Sequence, residues 1–218
     1  MGPTPRTAPL PAQPLAGLVV VLPRSADRAA GMAAELAARG AVPKVMPLID
    51  FEEPDSVREL DEALEQLGRG RFEWLVVTSI TTVRALKQRA AVLGTGLAEL
   101  ARGTKVAAVG SASARALANE GLAVSLVPDA GMDAVGLLAA WPQRPAADPA
   151  GGTAAQVLLP QADIAAATLE EGLTARGWLV RAVTAYRTVD YPARPDRRLT
   201  AVLAPGAAQA PGGPAGPG

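Results

Sequence analysis

The chain contains no histidine and no cysteine, so its chemistry falls to hydroxyls, carboxylates, amides, arginine, lysine and the polar ends of helices. That excludes histidine acid–base work and thiol nucleophiles. It also excludes the zinc, haem and iron–sulfur sites that need imidazole or thiolate ligands. No metal site of those kinds is expected. Short turns of small and hydroxyl residues stand out instead: Pro23-Arg24-Ser25, Thr78-Ser79-Ile80-Thr81, Gly110-Ser111-Ala112-Ser113 and Gly131-Met132-Asp133. Each precedes a helical pattern. The first turn of a helix has unpaired N–H groups and a positive dipole end, which can hold a carboxylate or phosphate. The same residue types also serve as plain N-caps, and both readings stay open. Tyr186, one of two tyrosines, follows the last apolar run in Ala185-Tyr186-Arg187-Thr188. Its phenol can donate a proton, or the ring can simply pack at a strand end. Arg24 can grip a carboxylate bidentately or lie in solvent. The acids of Asp50–Glu53 and Asp61–Glu65 read as solvated charge.

These turns need elements to position them. Leu18–Leu22, Val42–Ile49, Trp74–Val77, Lys105–Val109, Ala123–Val127, Val157–Leu159 and Leu179–Tyr186 are short apolar runs that predict strands. A run without polar alternation, such as Leu18–Leu22, suits a strand buried on both faces. Between them lie helical patterns over Ala26–Arg39, Ser56–Leu67, Thr81–Leu93, the segment through Glu120, Asp133–Trp141 and the segment up to Arg176. Gly40 is placed to stop the first helix. Alternation of strands and helices predicts an α/β fold with parallel sheets covered on both faces. In such a sheet, the hydroxyl turns fall at the carboxyl edge, where ligands collect.

Composition sets the outer limits. The 218 residues carry 21 basic and 21 acidic side chains, a balance that argues against nucleic acid or an anionic membrane surface as a partner. The hydrophobic share is 49% but aromatics make up only 3%, so aliphatic residues must build the core. No apolar run approaches the roughly 18 residues of a transmembrane helix, and the chain reads as cytoplasmic. Met1–Ala16, Pro142–Ala155 and Pro192–Gly218 are rich in proline, glycine and alanine and are expected to lack a packed structure. A shift of 137 residues aligns Val20–Ile49 with Val157–Tyr186, with nine of thirty positions identical, including the VxLP strand end and the ARG helix end. This predicts a duplicated βαβ unit. The first copy is followed by three further strands. The second is followed by LTAVLAPGAAQ, so Leu199–Leu203 reads as the start of a strand in a half that is cut short. The dinucleotide, P-loop and nucleophile-elbow signatures are missing.

Taken in order, VxLPR…ARG, WLVVTSxxxVRAL, KVAAVGxAxARAL…GL, VPDxGMDAxGL, VLLPxxD…L…RG and VxAYRTV resemble uroporphyrinogen-III synthase over Leu18–Val189. The resemblance implies two flavodoxin-like parallel-sheet domains joined by a two-segment linker, the first incomplete. Residues 17–49 would open the first domain and 50–189 form the second, with 1–16 and 190–218 as disordered tails. It implies cyclisation of hydroxymethylbilane to uroporphyrinogen III with loss of water, inversion of ring D and no cofactor. The substrate's eight carboxylates would suit helix N-termini, and the enzyme would hold one fold of the bilane and shield an azafulvene from water. By the same resemblance Tyr186 matches a tyrosine that assists loss of the hydroxyl. Thr78 and Ser79 match a TS turn, and Gly110, Ser111 and Ser113 a glycine and hydroxyl turn. Arg24, Gly131 and Met132 join the substrate-binding set, and Gln161 stands where an arginine is frequent. A monomer acting on a small molecule, with neither nucleic acid nor membrane as partner, is implied. The alternative is a non-enzymatic two-lobed module that binds a small anion or a tetrapyrrole.

Overall fold

The computed structural model describes residues 13–143 and 155–203. Along the chain lie β1 (Val19–Leu22), α1 (Ala26–Ala38), β2 (Val42–Val45), β3 (Ile49–Glu52), α2 (Arg58–Gly68), β4 (Trp74–Val77) and α3 (Ile80–Val92). There follow α4 (Leu97–Leu100), β5 (Lys105–Ala108), α5 (Ser111–Asn119), β6 (Val124–Leu126), α6 (Ala134–Ala140), β7 (Gln156–Ala162), α7 (Thr168–Ala175) and β8 (Leu179–Asp190). Two compact units divide these elements: Met1–Asp50 with Val189–Ala193, and Phe51–Thr188 with Arg194–Gly218.

The first unit holds a parallel pair, β1 against β2, with α1 between them in sequence. Gly40, at φ +93°, ends the helix as its position predicts. The expectation that Leu18–Leu22 is buried on both faces is not met. Leu18, Val19 and Val21 are exposed, and only Leu22 is buried. A two-stranded sheet with one helix has too few neighbours to cover both faces. Val42–Ile49 is also not one strand. It breaks at Met46-Pro47-Leu48, where proline offers no N–H to a ladder, and β3 joins the other sheet.

The second unit is built on six strands in the order β3-β8-β7-β4-β5-β6, and every pairing from β8 to β6 is parallel. Its centre is β4, buried at all four positions. The period-2 alternation of a strand divides this apolar run between two cores. Leu75 and Val77 join Val106, Ala108 and Leu158 beneath α2, α3 and α5. Trp74 and Val76 join Val157, Leu159, Trp141 and Trp178 beneath α6 and α7. Burial of each such aliphatic side chain stabilises the sheet by about 1.5–3 kcal/mol.

The repeat is visible in the backbone. Val19 pairs with Val42 and Val20 with Pro43; 137 residues later, Gln156 pairs with Leu179 and Val157 with Val180. The helix exits match as well. Ala41 N–H donates to Leu36 C=O and Gly40 N–H to Ala37 C=O, just as Trp178 N–H donates to Leu173 C=O and Gly177 N–H to Thr174 C=O. The surroundings differ. In the second unit β4 lies on the far side of β7, whereas β1 has β2 as its neighbour in a two-stranded sheet.

Two expectations about polar segments need correction. Asp50 and Glu52 are buried, not solvated. Asp61 accepts a bidentate pair of hydrogen bonds from Arg89, at 2.9 and 2.7 Å. Residues 190–203 are not a structureless tail. The Arg194 guanidinium and N–H bond Glu52, Leu199 N–H donates to Phe51 C=O, and Thr200 N–H donates to the Gln88 amide oxygen. Arginines in YPARPDRR find the carboxylates of residues 52–55, which composition alone could not reveal. Leu199–Leu203 forms no strand; Arg198 makes one isolated bridge to Glu52. The expectations for residues 1–12, 144–154 and 204–218 lie outside the described residues. No described helix is long and apolar enough to cross a membrane.

Hydrogen bonds from the Arg194 side chain, then from its backbone N–H, pull the Glu52 carboxyl from an ordinary 4.5 down to about 2. A depressed carboxylate contributes stability that is complete above its unfolded value and is lost as pH falls through its folded value. Wild type should therefore lose stability between about pH 4.5 and 2 more steeply than Glu52→Gln. Urea unfolding at stepped pH checks this; parallel pH profiles would contradict it.

Candidate active site at the carboxyl edge of the sheet

In the second unit the chain leaves β4 toward β5 and β6, then returns to the other side of β4 as β7 and β8. The connections after β4 and β7 therefore run in opposite directions. This reversal opens a crevice outside the carboxyl ends of the two strands, the usual ligand position in such sheets. A cavity of about 190 Å³ occupies that place, lined by Thr78, Gln161, Val109, Ala134, Thr168 and Leu169 among others. Thr78 and Gln161, singled out from the sequence, thus face one space. Val109, small Ala134 and Leu169 make its wall apolar, and the polar groups are neutral.

Ser79, the residue after Thr78, meets Tyr186; neither lines the cavity. Ser79 caps α3, its hydroxyl accepting the Thr82 N–H at 3.0 Å. The same oxygen lies 3.3 Å from the Tyr186 hydroxyl and 3.0 Å from Thr82 Oγ1. Tyr186 is only 7% exposed, and its ring stands edge-on to Phe51 at a centroid distance of 5.4 Å. A bulge puts it there. Gln161 pairs with Thr184 but Ala162 with Tyr186, so β8 carries one extra residue. The added residue shifts the side-chain alternation just before Tyr186. Tyr186 C=O also accepts the Asp163 N–H, which ties the end of β8 to the turn after β7.

The other turns divide by how their helices are capped. Gly110 caps α5 without a side-chain bond, so no cap side chain takes the N–H groups of its first turn, where Ser111 is exposed and Ser113 buried. Asp133 caps α6 through Oδ1, which accepts the Gly136 N–H at 2.8 Å. Of the two readings left open for these turns, capping is met at α3 and α6, where a side chain has taken one donor. Met132 approaches Gly110, where an added Cβ would lie 3.7 Å from the Met132 Cβ. Arg24 is exposed after β1 in the first unit. Thr82, Phe51, Thr168 and Gly136 were not foreseen. Thr82 had a legible signal, a hydroxyl three residues after a serine N-cap. Among the described residues, no three or more acidic side chains group as a metal site.

A mostly parallel six-stranded sheet with helices on both faces defines an α/β protein. A family model described as "Uroporphyrinogen-III synthase HemD" matches residues 30–210, and the chain belongs to that family. A uroporphyrinogen-III synthase of Synechococcus elongatus is 32% identical over 116 residues, which is 53% of this chain and 42% of that protein. Among solved structures, a mutant uroporphyrinogen III synthase of Thermus thermophilus has the same fold, with a TM-score of 0.58 and 22% identity. It is covered over 64% of its length by 81% of this chain. The wild-type Thermus protein in another crystal form gives a TM-score of 0.52 at the same identity and coverage. The chain thus spans less than two thirds of the relatives it matches.

Gly136 holds the 131–133 turn in place by its lack of a side chain. A Cβ there would sit 1.8 Å from the Gly131 carbonyl oxygen, which cannot move aside without breaking the turn. Gly136→Ala should cost roughly 1–3 kcal/mol in urea unfolding; an unchanged midpoint would contradict this close approach.

Proposed function

We propose that this chain carries out the uroporphyrinogen-III synthase reaction: hydroxymethylbilane loses water and closes to uroporphyrinogen III with ring D inverted. The single observation that carries the reading is the Tyr186–Ser79 hydroxyl pair, 3.3 Å apart at the carboxyl end of the sheet, in a chain of this family. Tyr186 gives its proton to the departing hydroxyl oxygen as the C–O bond breaks, so that water leaves and an azafulvene remains. The phenolate recovers a proton when the ring-closing pyrrole carbon loses one. The open first turn of α5 and the neutral donors Thr78 and Gln161 hold carboxylate arms. Ser111, Ser113, Gly131, Met132 and Arg24 complete the substrate-binding set. The apolar part of the wall keeps water from the azafulvene.

In this reading the βαβ unit of residues 17–49 belongs to the first of two flavodoxin-like domains and residues 50–189 form the second. The matching register of the two βαβ units supports that assignment. The two strands of the first unit support a first domain that is incomplete within this chain. The protein works as a cytoplasmic monomer on a small molecule, without metal or cofactor, nucleic acid or membrane.

The test is a coupled assay with freshly made hydroxymethylbilane, scoring isomer III against the isomer I that forms unaided. Isomer III above background is expected, and Tyr186→Phe should lower kcat by about 10²-fold or more, as loss of a general acid does. Isomer I alone from folded protein would sink the activity. An undiminished Tyr186→Phe would sink the role of the phenol.

A further inference from the structure

Ser79 Oγ has three neighbours within hydrogen-bond reach: the Thr82 N–H, Thr82 Oγ1 and the Tyr186 hydroxyl. A hydroxyl has two acceptor sites and one proton, so these three contacts use its whole capacity. The N–H takes one acceptor site. Of the two neighbouring hydroxyls, one donates to Ser79 and the other accepts from it. Two polarities satisfy that count. In one, Tyr186 donates to Ser79 and its proton is held. In the other, Ser79 donates to Tyr186 and the tyrosine proton is left for something else.

Burial decides between them. Thr82 is 0% exposed, and Ser79 Oγ is the acceptor in reach of its hydroxyl. A buried hydroxyl proton without an acceptor is costly, and Thr82 is wholly buried whereas Tyr186 keeps 7% of its surface exposed, so Thr82 donates to Ser79. Ser79 has then filled both acceptor sites, and its own proton goes to the phenolic oxygen. We propose that Thr82 is a positioning residue that sets the direction of the Thr82–Ser79–Tyr186 hydroxyl chain, so that Tyr186 keeps its proton free for the substrate. The inference rests on the reading of Tyr186 as proton donor. As that proton leaves, the Ser79 hydroxyl already faces the oxygen where negative charge builds, and no group has to turn.

Thr82→Val removes the hydroxyl, keeps the side chain's shape and leaves the backbone N–H on Ser79. Roughly a tenfold fall in kcat is expected, the scale of one hydrogen bond to a charged group, with KM unchanged. Thr82→Ser should restore the rate, and in a Tyr186→Phe background Thr82→Val should cost nothing more. A second readout needs no turnover. With 3-fluorotyrosine at Tyr186 and Tyr191, assigned through Tyr191→Phe, Thr82→Val should move the Tyr186 fluorine resonance while Thr82→Ser leaves it in place. An unchanged rate and resonance in Thr82→Val would overturn the inference, as would an equal loss in the Tyr186→Phe background. If wild type makes no isomer III, the activity reading falls, and the fluorine resonance alone decides the hydroxyl chain.

Discussion

The second unit depends on β4, a strand buried on both faces and paired in parallel on both edges. A parallel strand cannot turn directly into its neighbour, so each pairing forces a crossover through a helix. Two crossovers leave β4 and β7 in opposite directions, and the cavity is the gap they cannot close. The same run of four residues splits into two cores, and thereby fixes which helices cover which face. Ser79 starts its helix two residues beyond this strand, and Tyr186 arrives two strands away. Their meeting therefore follows from the order of the sheet.

The duplicated βαβ unit shows how far local sequence goes. Register, helix exit and left-handed glycine agree between the copies. Burial agrees only in part, since Val157 to Leu159 are fully buried while of their counterparts Val20 is half-buried, Val21 exposed and Leu22 alone buried. The apolar run encodes a strand; its neighbours decide whether both faces are covered. Reading Leu18–Leu22 as doubly buried failed because only the strand was encoded locally.

The elements and their turns were legible because apolar runs, N-caps and stop glycines are local signals. Thr78 was legible as a strand-end residue and Gln161 only through the family resemblance, while the alternation pattern marked the carboxyl edge as the place where ligands collect. The Ser79–Tyr186 bond joins residues 107 apart and also needs the bulge before Tyr186, so neither could be read from spacing. The buried Glu52 looked solvated because Arg194, its partner, lies 142 residues away. Gly136 looked like an ordinary helical glycine because the carbonyl that excludes a side chain comes from the preceding turn.

The absence of histidine and cysteine leaves a site of hydroxyls, amides and backbone donors, ordered by burial instead of by charge. We propose that the carboxyl edge of this sheet holds a tetrapyrrole. Titration of 15N-labelled protein with uroporphyrinogen III tests it most directly. The predicted result is amide shifts over Thr78–Thr82, Gly110–Ser113, Ala162 and Tyr186. Shifts confined to the opposite edge, at Trp74, Lys105 and Leu179, or no shifts at all, would contradict it.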